Sequence, residues 1–229
     1  QKHPVLKRLF PIVLFFFFAI PLLGQQDFLA QQYYNDGDFN KAVTFYEKLV
    51  GSNPRRLDYA DQLVRCYQQL EQYDKAISFL QDRIDSGTAH PTVYIDLGYT
   101  YDLMGMPEKR DEGYQKAMEL LELNPDYGYV LGFKFQQYTL LDHALQAYRR
   151  SMELNPELDY NTQIARIYGE QGEVGKMYEA YMDLLSERES IKPNVLRVLQ
   201  AFISPDPENE NNLLLSLEIV NMLNTSIAL

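Results

Sequence analysis

The chain has 229 residues, a formal net charge of −11, 18 tyrosines and a single cysteine. An excess of negative charge repels nucleic acid and anionic lipid surfaces, so neither is expected as a partner. The single cysteine, Cys66, excludes an intrachain disulfide. Because Cys66 lies within an apolar helical pattern, we expect its thiol to be buried and unreactive.

Residues 1–24 have the layout of a secretory signal peptide. Basic residues come first, Leu9 to Ile20 form an apolar segment, and Gly24 is a small residue before a polar sequence. The apolar run is shorter than the roughly 20 residues that span a bilayer. We therefore expect cleavage and export, most simply to the periplasm of a Gram-negative bacterium. The alternative is an uncleaved leader that tethers the chain to a membrane.

Three columns of residues recur along the chain, 34 residues apart and 33 at the last step. The first column holds mostly small residues: Ala42, Ala76, Arg110, Ala144 and Met177. The second column is aromatic: Tyr33, Tyr67, Tyr101, Phe135 and Tyr168. The third column is large: Tyr46, Leu80, Tyr114, Tyr148 and Tyr181. Such a period indicates stacked copies of one unit, and apolar spacings of three and four within each copy predict helices.

This pattern resembles the tetratricopeptide-repeat family. The fourth copy carries it well, with Leu131, Gly132, Phe135, Ala144, Tyr148 and Pro156. The resemblance implies an all-α fold, a right-handed α-solenoid of helical hairpins. The five expected repeats are about 25–56, 57–90, 91–124, 125–157 and 158–190. Residues 191–229 are expected to form a degenerate helical extension, truncated at an apolar end, which either packs on the fifth hairpin or precedes further repeats.

Details within the hairpins follow from the same pattern. Glycines 37, 105 and 172 lie where the first helix of a hairpin must stop and turn, and glycine tolerates a positive φ there. Asp38 and Asp74 are placed to cap second helices. Arg110 and Met177 are too bulky for a close approach of two helices, so we expect hairpins three and five to splay or shift.

Chemical motifs are missing from the sequence. It has no pair of histidines at metal-ligand spacing, no cysteine cluster and no glycine-rich phosphate loop. Residues 35–40 are rich in Asn and Asp, but a calcium loop that starts at Asp36 would need glycine where Lys41 stands. We therefore expect no enzyme activity, no metal, no cofactor and no small-molecule substrate.

The resemblance also implies where a partner binds, because the first helices of these hairpins line a concave face. The positions that map to this groove are Gln31, Tyr34, Arg65, Gln68, Tyr99, Tyr129, Phe133, Gln136 and Arg166. Tyr99, Tyr129 and Phe133 either pack against neighbouring helices or serve as anchors for a peptide or a partner helix. A carboxylate clamp, known in one subgroup, is excluded because Asp27 would repel that ligand.

The sequence therefore predicts a non-catalytic scaffold for protein–protein interaction in an exported assembly. Its partner is expected to be a protein or a peptide, with membrane contact only through the leader. The alternative is the docking or regulatory part of a longer multidomain protein whose activity lies beyond residue 229.

Overall fold

The computed structural model describes residues 26–87, 89–187, 190 and 192–228. The predicted signal peptide lies outside these residues. The described residues form twelve α-helices, a short 3-10 helix over Pro125–Tyr127 and no strand, which confirms the all-α fold class. Helix α1 is described over 26–35. The others are α2 Phe39–Ser52, α3 Leu57–Gln69, α4 Tyr73–Asp85, α5 Val93–Leu103, α6 Pro107–Leu123, α7 Gly128–Gln137, α8 Leu141–Leu154, α9 Asn161–Glu170, α10 Val174–Glu187, α11 Lys192–Gln200 and α12 Glu210–Ala228.

Two compact units make up the chain, one ending at Tyr114 and the other beginning at Gln115, within α6. In the first unit α2 contacts α3, and α4 contacts both α3 and α5. Its buried cluster includes Ala42, Tyr46, Leu63 and Leu80. Cys66 belongs to the same cluster, and burial raises the pKa of its thiol to about 12, as expected for an unreactive thiol.

The second unit contains α7 against α8, α9 against α10, and α10 against both α11 and α12. Leu131, Phe135 and Tyr148 are fully buried between α7 and α8. A cluster that includes Met177 and Tyr181 extends to Leu199 of α11 and to partly buried side chains of α12. The apolar segment after residue 212 therefore packs on the fifth hairpin. None of the described helices is long and apolar enough to cross a membrane.

Each of the five hairpins turns through the same three-residue connection. The backbone N–H of the third turn residue donates to the carbonyl five residues earlier, and that acceptor always belongs to the predicted aromatic column. The five bonds are Asp38 to Tyr33, Gln72 to Tyr67, Met106 to Tyr101, Leu140 to Phe135 and Glu173 to Tyr168, at 2.9 Å each. This is the Schellman arrangement, which requires a positive φ at the residue before the donor. Gly37, Gly105 and Gly172 have φ of 76°, 72° and 76°, as predicted.

Glycines in the helices let the two helices of a hairpin approach closely. A Cβ added to Gly132 would lie 2.5 Å from the Tyr148 ring, and one added to Gly98 would lie 2.7 Å from the Tyr114 ring. In these two hairpins the large third-column residue of the second helix thus packs directly on the backbone of the first helix.

The predicted splay of hairpins three and five is wrong. In hairpin three a Cβ on Gly113 would lie 2.9 Å from the Gly98 Cα, so the backbones are close, while Arg110 turns its guanidinium to Asp102 and Asp111. In hairpin five Met177 is buried, and a Cβ on Gly169 would lie 2.9 Å from its sulfur. A glycine elsewhere in each hairpin compensates for the larger residue.

Candidate partner-binding site

The nine residues predicted to face a partner divide between the two units. Five of them, on α1, α3 and α5, belong to the first unit, and four, on α7 and α9, belong to the second.

The first-unit residues differ in how much of each side chain is accessible. Gln31 is exposed, whereas Tyr34 and Tyr99 are partly buried, and the Tyr34 ring meets Phe39 edge to face at 5.4 Å between centroids. Arg65 forms an ion pair with Asp61 of its own helix at 3.1 Å. These side chains supply mixed polar and aromatic surface without a single dominant feature.

Gln68 lies inside the first unit. Its exposed fraction is 6%, and its amide nitrogen donates to the Thr100 hydroxyl at 3.0 Å. Thr100 in turn donates to the Asp96 carbonyl at 2.7 Å. This hydrogen bond links α3 to α5. It also satisfies a buried amide group, which would destabilise the fold if it had no partner. The resemblance predicts that Gln68 faces a partner in the groove, but the structure shows that its side chain is buried between helices.

The second-unit residues Tyr129 and Phe133 form an exposed aromatic pair on α7. Their rings are parallel within 2°, with 6.2 Å between centroids, and each residue is 48% exposed. The four-residue spacing places them one turn apart on the same helical face. About half of the surface of each residue therefore remains accessible to a partner.

Buried residues hold this aromatic pair in place. The Tyr129 ring lies 6.3 Å from the ring of Tyr160, which is buried and lies 5.3 Å from the Tyr148 ring. Burial raises the pKa of the Tyr148 phenol, so it stays protonated and donates to the Gln136 amide oxygen at 3.0 Å. A continuous series of aromatic contacts therefore runs from the core of the hairpin to the exposed face of α7.

The remaining predicted residue, Arg166, is exposed on α9. Its charge lies close enough to Tyr181 to oppose the rise in the pKa of that phenol, which burial dominates. Gln136 offers a hydrogen-bonding amide on α7, the helix that also carries the aromatic pair. Arg166 offers a positive charge on α9.

Sequence reasoning missed an open groove on the second helices of the second unit. Its volume is about 780 Å³, and its lining includes Met118 and Leu145 among charged residues of α6 and α8. Arg150 binds the Glu122 carboxylate through two hydrogen bonds of 2.6 Å each. No sequence signal pairs these two residues, because each one by itself reads as part of a solvated helix surface.

No group of His, Cys, Asp and Glu side chains that could hold a metal ion occurs among the described residues. The face of α7 that carries Tyr129 and Phe133 presents two half-exposed aromatic side chains.

One family model and several longer proteins are similar to parts of this chain. Residues 26–83 match the family model described as anaphase-promoting complex, cyclosome, subunit 3. Over 130 residues the chain is 26% identical to the general transcriptional corepressor trfA of Dictyostelium discoideum, covering 56% of this chain and 9% of that protein. Over 142 residues it is 33% identical to the human protein O-mannosyl-transferase TMTC3, covering 60% of this chain and 14% of that protein.

Among solved structures, a thermophilic TPR protein of Thermus thermophilus is 18% identical, with a TM-score of 0.43 and coverage of 78% of this chain and 98% of that chain. The curated relatives are much longer than the matched region, since the chain covers only 9% to 23% of their lengths. What those whole proteins do is therefore a property of the relatives.

Proposed function

We propose that this chain, a series of helical hairpins of the tetratricopeptide-repeat type, is a non-catalytic scaffold that binds a peptide or a partner protein through the accessible face of α7. The observation that carries the proposal is the stacked, half-exposed pair of Tyr129 and Phe133. Repeat folds of this class serve widely as scaffolds for protein–protein interaction.

The physical basis is preorganisation of an aromatic surface. Tyr and Phe present a large contact area with few rotatable bonds, so little side-chain entropy is lost on binding. Here the rings are already held by each other and by Tyr160. A peptide that places an apolar or aromatic side chain on them gains buried area, while Gln136 supplies a hydrogen-bonding amide beside the rings.

The test is the double variant Tyr129→Ala with Phe133→Ala, with partners captured by crosslinking in cells and identified by mass spectrometry. We expect the yield of captured partner to fall at least about tenfold, because anchor residues each contribute about 2 kcal/mol or more. Leu123→Ala is the matched control, since Leu123 is 81% exposed and lies on α6. Unchanged capture by the double variant, in a protein that melts normally, would remove this site from the proposal.

We also propose that the chain is exported, with the periplasm as its destination. The basic and apolar layout of residues 1–24 supports this proposal. Cell fractionation combined with mass spectrometry of the mature N-terminus tests it. A mature chain that begins near residue 25 in the periplasmic fraction is the expected result, and a chain that keeps residues 1–24 in the cytoplasmic fraction would refute export.

A second candidate function is that of a docking or regulatory region within a longer multidomain protein. The long relatives favour it, because the matched region makes up only 9% of trfA and 14% of TMTC3. An immunoblot with an antibody raised against this region distinguishes the two. A band near the 26.7 kDa of this chain supports the stand-alone scaffold, and a much larger band supports the docking region.

A further inference from the structure

Helix α12 has a second apolar face in addition to the one that packs on α10. Leu214 and Leu215 pack against the buried cluster of the fifth hairpin. Leu213, Leu217 and Val220 are instead 53%, 54% and 50% exposed. Their spacing of four and three residues places them on one side of the helix. A helix at a protein surface normally carries polar residues there, so this stripe is an unusual surface for an acidic, water-exposed chain.

Acidic residues lie at the N-terminal end of this stripe. Asp206, Glu208 and Glu210 are all exposed. The loop that carries the first two is tied to α12, because the Asn212 side-chain nitrogen donates to the carbonyl oxygens of Ser204 at 2.9 Å and Asp206 at 2.7 Å. The backbone that carries these acids is therefore tied to the start of α12, at the N-terminal end of the stripe.

The stretch that contains the stripe carries charges of one sign only. Between residues 198 and 228 the sequence has four acidic residues and no Lys, Arg or His. A second copy of the same surface would bring no positive charge to these acids, whichever way it packs, so charge gives it no preference as the occupant. A partner with positive charge beside an apolar face would satisfy both the stripe and the acids.

We propose that the α12 stripe, defined as Leu213, Leu217 and Val220, binds an amphipathic helix of a partner protein with Lys or Arg beside its apolar face. The apolar residues of that helix lie on the stripe, and its basic residues face Asp206, Glu208 and Glu210. This mode is the docking of a helix through one apolar face, with charge complementarity giving orientation and selectivity. The surface is distinct from the Tyr129–Phe133 pair, so either proposal can fail without the other.

The probe is a synthetic helix of about 20 residues, long enough to be helical in water, with Leu on one face and Lys on the other. A matched peptide carries Glu in place of Lys. Binding of each to the mature protein is measured by fluorescence anisotropy at low and high salt. We expect the Lys peptide to bind at least about tenfold more tightly than the Glu peptide, with a preference that weakens as salt screens the charges.

Variants separate this surface from a general attraction of basic peptides to an acidic protein. The double change Leu213→Ser with Leu217→Ser should weaken binding of the Lys peptide about tenfold. The double change Glu208→Gln with Glu210→Gln should weaken this binding severalfold and reduce its salt dependence. The control Glu108→Gln with Glu112→Gln removes the same charge from exposed positions of α6 and should leave binding unchanged. Tyr129→Ala with Phe133→Ala should also leave it unchanged.

Two results would overturn the proposal. One is binding of the Lys peptide that survives the Leu213→Ser, Leu217→Ser change in a protein with a normal circular dichroism spectrum. The other is a dimer of the unmodified protein in sedimentation analysis that this same change dissociates, because the occupant of the stripe would then be a second copy of the chain.

Discussion

Thr139 and Glu71 are the two described residues other than glycine with a positive φ, 59° and 56°. They occupy the turn position that Gly37, Gly105 and Gly172 fill in the other hairpins. The left-handed conformation costs a residue with a Cβ about 1–2 kcal/mol, and β-branched residues such as Thr are especially unsuited to it. The turn bonds impose the conformation here, since Leu140 and Gln72 donate to the same carbonyl column as in the glycine turns.

Replacement of Thr139 by Gly should therefore stabilise the protein. We expect Thr139→Gly to raise the free energy of unfolding by about 0.5–1 kcal/mol. The strain energy that is relieved exceeds the extra conformational entropy that glycine loses on folding. Urea denaturation measures the change. Gly105→Ala is the control, since its Cβ would meet no atom within 4 Å but would adopt the same strained conformation at φ 72°. It should lower the stability by a similar amount, and a destabilised Thr139→Gly variant would refute the strain argument.

The sequence identified only the turn residues that carry a direct chemical signal. Glycine marked three turns, whereas Glu71 and Thr139 could be located only by counting 34 residues from Gly37 and Gly105. Asp38 was correctly predicted as a cap, since its carboxylate accepts from the Lys41 N–H at 3.3 Å. The prediction that Asp74 caps α4 was wrong, because Gln72 is the N-cap residue and Asp74 lies within the first turn of the helix. Residue type alone did not fix that register.

Among the helices, the packing of α8 on α7 shows how one column shapes a hairpin. Tyr148 is fully buried, and its ring lies against the backbone of Gly132. The same ring hydroxyl donates to Gln136, which lies one turn beyond Phe133 on α7. The position of the exposed aromatic pair therefore depends on a buried contact between the helices that carry it.

Gly132→Ala should destabilise this hairpin. Its new Cβ would lie 2.5 Å from two atoms of the buried ring, which forces a shift of Tyr148. We expect a loss of about 1–2 kcal/mol in the free energy of unfolding, the cost of overpacking less the gain from replacing glycine within a helix. Thermal and urea unfolding measure it. The control is Gly51→Ala in α2, where a Cβ meets no atom within 4 Å and the change should be neutral or stabilising. Equal effects of the two changes would contradict the packing argument.

Sequence columns predicted helices and hairpins well because every copy must make the same contacts. They predicted poorly how the helices pack where a residue differs from the rest of its column. Arg110 and Met177 suggested splayed helices, but glycines outside the column, Gly113 and Gly169, restore the close approach. The candidate site shows the same limit. Tyr129 and Gln68 are both predicted to face the groove, yet one is 48% exposed and the other 6%, since accessibility depends on neighbours that the column does not specify.

At the scale of the whole molecule, each unit has a buried cluster of its own. The cluster of the first unit runs from Ala30 to Val93, and that of the fifth hairpin runs from Ala165 to Leu199. In a repeat protein each element is stabilised mainly by its nearest neighbours in the chain. A defect in one cluster should therefore be felt within its own unit before the whole chain unfolds.

Leu199→Ala and Leu63→Ala test this locality as a matched pair. The two leucines are 3% and 2% exposed, and each belongs to a different cluster. Each change should cost about 2–4 kcal/mol, the typical loss for a buried Leu→Ala change. Measured by hydrogen exchange, Leu199→Ala should lower the protection of α9 to α12 and leave that of α2 to α4 unchanged, and Leu63→Ala should do the reverse. Equal loss of protection throughout the chain in both variants would instead mean that the repeats unfold as one cooperative unit, because every amide would then exchange through the same global opening.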